Sequence, residues 1–153
     1  MLNKDYKEML SLLIGHKVKF LVVGAYALGV HGYPRATGDV DVWVEPSPEN
    51  SKFVYDSLVA FGAPVSQLTQ EAFSEEGIVF QIGVAPRRID ILTKIDGVSF
   101  SEAYVAREEI DIEGLIVPFL SKPHLIQNKE ATGREKDKID AQQLKERSGS
   151  RDL

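Results

Sequence analysis

Hydrophobic and polar positions follow two different periods along this chain. Helical patterns cover residues 3–14, 25–32 and 100–108, and another begins at Pro48. Strand patterns, which are short apolar runs rich in β-branched residues, are found at 17–23, 38–45, 78–84, 87–93 and in both halves of 110–120. A last helix is predicted from Lys122 to Glu146. Helices and strands mixed in this way predict an α+β fold with a mixed β-sheet flanked by helices.

Local signals set some of the boundaries. Ser47 is a candidate N-cap, Pro48 suits the first helical position after it, and Gly62 ends that helix. The chain contains no linker, internal repeat or low-complexity segment. We therefore predict a single domain over residues 1–147 and a frayed tail over 148–153.

The composition is that of an ordinary globular protein. Its 153 residues are 43% hydrophobic and 27% charged, and the net charge is −5. This mild acidity argues against binding nucleic acid through bulk positive charge, although a local basic patch or bound cations would still attract phosphates. The absence of cysteine excludes disulfides, thiol nucleophiles and cysteine-ligated zinc. With no signal-peptide pattern and no apolar run long enough to cross a bilayer, we expect a cytoplasmic protein without a membrane partner.

Three aspartates interrupt strands that are otherwise apolar. Asp39 and Asp41 are two residues apart and so share one face of a strand, and Asp90 lies between two isoleucines. Carboxylates placed like this repel one another and resist desolvation. Mg²⁺ or Mn²⁺ would relieve both penalties, and two such ions about 3.5–4 Å apart support an in-line displacement at phosphorus. A plainer explanation, a strand-end carboxylate that accepts backbone N–H groups, fits Asp90 alone better than it fits the pair.

The strand-to-helix junction at Gly24 adds a second feature. A turn of small residues leading into a helix points backbone N–H groups outward, which suits a nucleotide phosphate, although ordinary turns also use glycine for steric reasons. Gly24 precedes Asp39 by 15 residues. A short helix and a returning strand between them would bring the turn and the carboxylates to the same end of the sheet.

The segment VVGAYALGVHGYPRATGDVDVWV (22–44), followed by RRIDILT (87–93), resembles the nucleotidyltransferase superfamily with the DNA polymerase β-like palm fold. The likeness is greatest to its minimal bacterial branch, which holds the AbiEii-type toxins and the aminoglycoside- and lincosamide-modifying enzymes. Two motifs carry it: R-x-T-x-D-x-D at residues 35–41 and K-x-x-x-G-R-x-K-D-x-x-D at residues 129–140. The resemblance spans about residues 17–145.

The resemblance implies a role for each matched residue. Asp39 and Asp41 would bind two metal ions and the nucleotide, and Asp90 would complete the metal site and help to deprotonate the acceptor hydroxyl. Gly24 would let the turn approach the triphosphate, and Ala25, where relatives have Gly or Ser, would still offer its N–H. Further phosphate contacts are expected from basic and hydroxyl side chains, namely Arg35, Thr37, Lys129, Arg134 and Lys136.

Plainer roles fit these further residues about as well. Arg35 can be a surface arginine, and Thr37 can cap a turn. Lys129 and Lys136 are seven apart and are therefore expected to share a face of the last helix, and the resemblance implies that this helix lies beside the cleft. The same segment also reads as a solvated charged helix.

The function implied by the resemblance is transfer of a nucleoside monophosphate from an NTP to an acceptor, with release of pyrophosphate. The acceptor can be tRNA, a protein or a small molecule, and a toxin–antitoxin role is one form of this activity. Because the chain is short, a partner protein or a homodimer is expected to complete the acceptor site. The alternative is a weak or inactive nucleotide-binding module of the same fold that acts through a partner protein.

Overall fold

A six-stranded mixed sheet with helices on its faces forms the fold in the computed structural model, which describes residues 2–34, 38–84 and 86–147. In chain order the elements are α1 (Lys4–Gly15), β1 (Phe20–Val23), α2 (Gly24–Val30), β2 (Val40–Val44), α3 (Pro48–Phe61), β3 (Val79–Ile82), β4 (Ile89–Leu92), α4 (Phe100–Val105), β5 (Glu108–Ile112), β6 (Leu115–Phe119), α5 (Lys122–Ala131) and α6 (Glu135–Glu146). The predicted α+β class with a mixed sheet is confirmed. The predicted tail, 148–153, lies outside the described residues, and the single-domain assignment stays a prediction.

The strand order is β3-β4-β2-β1-β6-β5. β2 runs parallel to β4, β6 runs parallel to β1, and the other neighbouring pairs are antiparallel. β1 therefore ends at the edge of the sheet where β2 and β4 begin. The residues that start β2 and β4 thus lie beside the turn that follows β1.

Both faces of the sheet are covered by apolar side chains. The buried residues of α1 include Tyr6 and Leu13, and α1 packs against α3, which buries Leu58. On the opposite face, Trp43 of β2 is only 1% exposed and contacts the edge of the Phe100 ring in α4. The central strands are thus held in a continuous core, and core packing is worth about 25 cal/mol for each Å² of apolar surface that it removes from water.

Several predicted boundaries are confirmed, and one predicted element is wrong. Ser47 accepts a hydrogen bond from the backbone N–H of Asn50 as the N-cap of α3, and Gly62 ends that helix in a left-handed conformation. β1 is shorter than predicted, because the segment before Phe20 first closes a turn against the end of α1.

The single helix predicted from Lys122 to Glu146 is instead two helices. α5 ends at Ala131, Gly133 has φ +76°, and α6 starts at Glu135 and packs against α5. A glycine in the left-handed region turns the chain at low cost, which the predicted continuous helix did not allow for. Among the described residues, none of the helices is both long and apolar enough to span a membrane.

Candidate active site

The structure brings Asp39, Asp41 and Asp90 together at one edge of the sheet. Alternation along β2 puts Asp39 and Asp41 on one face, as the sequence predicts. The parallel register of β2 with β4 then pairs Asp41 directly with Asp90, so Asp90 lies on the same face. Asp90 is buried, whereas Asp39 and Asp41 are half-buried. The three acidic groups therefore lie close together on one face of the sheet.

The Gly24 turn lies against this cluster. Val23, the last residue of β1, pairs with Asp41 across the antiparallel register. Gly24 has φ +68°, and a Cβ at this position would overlap Oδ2 of Asp41. Glycine therefore suits this position for its backbone conformation, and a larger residue would force the Asp41 carboxylate to move. Ala25 follows in the first turn of α2 and is half-buried.

Among the described residues, Arg88 is a cation that contacts two of the three carboxylates. Its Nε donates to Oδ1 of Asp90 at 2.8 Å, and its Nη2 donates to Oδ2 of Asp90 at 3.1 Å. The same Nη2 lies 3.1 Å from Oδ2 of Asp39. A guanidinium fork suits this bidentate contact, and the two carboxylates together raise the pKa of Arg88 above its usual value. Arg88 thus bridges β2 and β4 at the site.

The pKa of Asp41 is raised by its surroundings. Its burial, the charge of Asp90, a hydrogen-bond contact with Asp90 and the charge of Asp39 together raise the pKa of Asp41 to about 6, against a smaller lowering effect of Arg88. Among the described residues, the charge of Arg88 therefore does not by itself offset the effects that raise the pKa of Asp41. Near pH 6, binding of a proton or of a further cation therefore stabilises the cluster.

The donor set fits a hard divalent ion, although the side chains are not arranged as a finished cage. In the described part of the chain, no three His, Asp or Glu side chains are grouped in a way that could hold a metal ion. The guanidinium of Arg88 contacts oxygens of Asp39 and Asp90 in this arrangement. Carboxylate oxygens are the ligands that Mg²⁺ and Mn²⁺ prefer.

A cavity of about 260 Å³ opens beside Gly24 and Asp41. It lies between the end of β4 and the α5–α6 turn. Its charged and polar lining residues are Asp41, Lys94, Asp96, Asn128, Lys129, Thr132, Arg134 and Asp137. A larger cavity of about 430 Å³ is lined by Lys17 and Phe53, and none of the three aspartates lines it. The smaller cavity is the one that adjoins the carboxylate cluster.

Of the predicted phosphate contacts, Lys129 and Arg134 line this cavity, whereas Lys136 does not. The expectation that Lys129 and Lys136 share a helix face is wrong, because the chain turns between α5 and α6. Lys136 is exposed on α6. Arg35 and Thr37 lie outside the described residues.

Lys129 is held by two buried carboxylates rather than left free. Its Nζ lies 3.3 Å from Oδ1 of Asp137 and 3.4 Å from Oδ2 of Asp140. Asp137 also accepts hydrogen bonds of 2.7 Å from the Thr132 hydroxyl and from Nε of Arg134. This network holds the α5–α6 turn beside the cavity. Lys129 therefore has a structural role that does not depend on a ligand.

The same contacts set the charge of Asp137. Burial by itself would raise the pKa of this carboxyl, but the hydrogen bond from Thr132, the charge of Lys129 and the hydrogen bond from Arg134 hold the pKa below its usual value. Asp137 is therefore ionised at neutral pH and fixes the basic wall of the cavity.

Sequence reasoning missed Lys94. This residue is exposed, lines the cavity, and forms no ion pair with a carboxylate in the described ranges. Alternation along β4 could have found it, because positions 90, 92 and 94 fall on the same face and the lining includes Asp41, Leu92 and Lys94. Lys94 is a cation at this cavity that no described acidic side chain neutralises.

The sequence matches no family model and no curated protein. Solved structures do resemble it. A candidate nucleotidyltransferase of Thermotoga maritima, TM1012, superposes with a TM-score of 0.64 at 16% identity, over 96% of this chain and 97% of that one. The lincosamide antibiotic adenylyltransferase LnuA, solved with lincomycin, gives 0.59 at 15% identity, over 95% of this chain and 98% of that one.

A third structure, ANT(2″)-Ia in complex with adenylyl-2″-tobramycin, gives a TM-score of 0.56 at 15% identity, over 91% of this chain and 84% of that one. All three superpose over nearly the whole of this chain. The fold expected from the sequence motifs is therefore confirmed, and this chain has the nucleotidyltransferase fold.

Proposed function

We propose that this chain is a metal-dependent nucleotidyltransferase that moves a nucleoside monophosphate from an NTP to an acceptor and releases pyrophosphate. The observation that carries the proposal is the convergence of Asp39, Asp41 and Asp90 beside the Gly24 turn and a polar cavity. Solved structures of the same fold support it, namely a candidate nucleotidyltransferase, a lincosamide antibiotic adenylyltransferase, and ANT(2″)-Ia in complex with adenylyl-2″-tobramycin. Mg²⁺ or Mn²⁺, as two ions with the NTP, is the expected cofactor.

Each part of the site then has a task. Asp39, Asp41 and Asp90 would hold the divalent ions, which supply charge neutralisation on the triphosphate and a better attacking oxygen. Gly24 leaves room for the backbone to approach a phosphate. Lys94 would supply positive charge at the cavity.

The transfer itself needs one proton acceptor. The acceptor oxygen forms a bond to the α-phosphorus, the bond from that phosphorus to the bridging oxygen breaks, and pyrophosphate leaves with the electron pair. Asp90 takes the hydroxyl proton in this proposal, because its carboxylate lies on the same face of the sheet as Asp41 and pairs with it in register.

The identity of the acceptor is the finer part of the proposal. The solved neighbours include enzymes whose structures contain a lincosamide or an adenylylated aminoglycoside. For this chain a small molecule, a tRNA end or a protein hydroxyl all remain candidate acceptors, and a toxin–antitoxin role corresponds to the last two. A partner protein or a second copy of the chain would then complete the acceptor site.

The test follows label from an α-phosphate-labelled NTP to a panel of acceptors and measures pyrophosphate release with and without Mg²⁺. Asp39→Asn, Asp41→Asn and Asp90→Asn are expected to lose transfer by several orders of magnitude. Asp56→Asn is the matched control, since Asp56 pairs with Lys52 on the surface of α3. The proposal fails if no NTP binds in a metal-dependent manner, or if the three variants behave like the control.

A second candidate function is a nucleotide-binding module that acts through a partner protein without transferring anything. Two features favour it. Ala25 offers no hydroxyl to a phosphate, and Arg88 contacts two of the carboxylates that the ions need. Metal-dependent NTP binding with no turnover toward any acceptor would identify this function.

A further inference from the structure

We propose that Arg88 is a built-in competitor of the divalent ion, and that metal binding requires its guanidinium to release Asp39 and Asp90. This inference rests on the proposed function, because it concerns how the same site passes from its metal-free to its metal-bound state. It assigns a task to a residue that neither the carboxylate motif nor the reaction itself requires.

The guanidinium uses the oxygens that an ion needs. Arg88 contacts both carboxylate oxygens of Asp90 and one oxygen of Asp39. An ion held by these carboxylates needs oxygens at about 2.0–2.1 Å for Mg²⁺. A guanidinium that donates to the same oxygens places a second positive charge within a few ångströms of the ion, and the two repel strongly in a partly buried site.

Hydrogen bonds hold the backbone of Arg88 in place, whereas its side chain is partly exposed to solvent. The carbonyl of Arg88 accepts a hydrogen bond from the Val40 N–H at 3.0 Å and another from the Tyr6 hydroxyl at 3.2 Å. Its side chain is 31% exposed, so rotation about its own bonds reaches solvent without moving β4. Release therefore costs the ion-paired hydrogen bonds and little else.

The contacts of Arg88 with Asp39 and Asp90 also stabilise the metal-free protein. Asp39, Asp41 and Asp90 repel one another, and burial adds to the cost for Asp90. Arg88 offsets part of this cost until an ion takes over. The neighbouring Arg87 is exposed and makes no contact with the three aspartates, so it provides a variant with the same change in net charge.

The experiment measures Mn²⁺ binding to the full chain without nucleotide, by the loss of the free Mn²⁺ signal in electron paramagnetic resonance. Arg88→Ala is expected to bind Mn²⁺ about tenfold more tightly than Arg87→Ala, because the ion no longer displaces charge-assisted hydrogen bonds. Arg88→Lys, which keeps the charge but loses the fork, is expected to fall between them. A structural role alone would give the opposite order, with Arg88→Ala binding more weakly.

A second measurement uses the unchanged protein in case Arg88→Ala does not fold. Titration with Mg²⁺ is followed through the Nε–H resonance of Arg88 in ¹⁵N nuclear magnetic resonance spectra. This resonance is expected to shift and to exchange faster with water as the ion binds, whereas that of Arg87 stays unchanged. An Arg88 signal that does not move at saturating Mg²⁺ overturns the inference.

These outcomes separate the inference from the function. If Mn²⁺ binds the wild type and Arg88→Ala equally, or binds Arg88→Ala more weakly, competition by Arg88 is refuted and the nucleotidyltransferase proposal stands. If neither protein binds Mn²⁺, even when an NTP is added, the metal-dependent function fails, and competition by Arg88 fails with it.

Discussion

Replacing Gly24 with alanine probes the closeness of the turn to Asp41. Two penalties apply. An L-residue at φ +68° costs about 1–2 kcal/mol. Its Cβ would also overlap Oδ2 of Asp41, and overpacking of this kind typically adds about 1–3 kcal/mol. Gly24→Ala should therefore lower the free energy of unfolding by roughly 2–5 kcal/mol, which corresponds to a fall in Tm of roughly 4–20 °C for a chain of this size.

A matched glycine separates the two penalties. Gly62 has φ +90°, and a Cβ there would meet no atom within 4 Å, so Gly62→Ala carries the backbone cost alone. Asp41→Ala removes the carboxylate that the new methyl group would meet. In that background the cost of Gly24→Ala should shrink toward that of Gly62→Ala, which is the coupling expected of groups in contact.

The assay is urea unfolding of the wild type, the three single variants and the Gly24→Ala/Asp41→Ala double variant, in metal-free buffer at one pH. The free energy of unfolding comes from linear extrapolation. The reasoning would be refuted if Gly24→Ala cost no more than Gly62→Ala and its cost did not change in the Asp41→Ala background. Gly24 would then not lie against the carboxylate cluster, and the proposed site would lose its phosphate turn.

Three further predictions concern charge. The pKa of Asp41 rises from 3.8 to about 6 on folding, so the folded chain binds more protons than the unfolded chain between these two pH values. Stability therefore falls as the pH rises through this window. Asp41→Asn should raise Tm at neutral pH without metal and flatten the pH dependence of Tm. Lys94→Met should weaken NTP binding about tenfold in calorimetry, since a charged hydrogen bond to phosphate is lost, whereas Lys17→Met at the other cavity should not. Asp137→Asn should cost about 1.5–3 kcal/mol in urea unfolding because Lys129, Thr132 and Arg134 lose the charge of a buried carboxylate, against less than about 1 kcal/mol for the exposed Glu135→Gln.

Each of these has an outcome that contradicts it. A Tm profile between pH 4 and 7 that is the same for Asp41→Asn and the wild type would show that Asp41 does not carry the raised pKa. Equal NTP affinities for the Lys94 and Lys17 variants would place the triphosphate elsewhere. Equal costs for the Asp137 and Glu135 variants would mean that the α5–α6 turn does not depend on the buried network.

Local chemistry along the chain predicted the elements that make the site. Alternation in GDVDVWVE placed Asp39 and Asp41 on one face, and the Ser47 cap with Gly62 set the ends of α3. Gly24 marked the turn. These features depend on side-chain periodicity, helix caps and glycine conformations, which are determined by residues close together in the sequence.

The same local signals were misread at one turn. Gly133 lies in a charged segment, KEATGREKDK, that was predicted as one helix, but α5 ends before it and α6 begins after it. Intrinsic preferences allow a glycine within a helix at a cost of about 1 kcal/mol, so the sequence pattern alone could not exclude the continuous helix. The contacts of Lys129 with Asp137 and Asp140 across the turn stabilise the hairpin.

Only the tertiary structure decided how the parts meet. The pairing of Asp90 with Asp41 depends on the parallel register of β2 and β4, which are joined through α3 and β3 and share no local pattern that fixes it. The contact of Arg88 with Asp39 follows from that register, whereas its contact with Asp90 joins residues only two apart in the sequence. The packing of the sheet also decides that Lys94 and Gly24 line the same cavity. Periodicity along a strand determines which face a side chain takes, whereas the packing of the whole sheet determines which side chain stands opposite it.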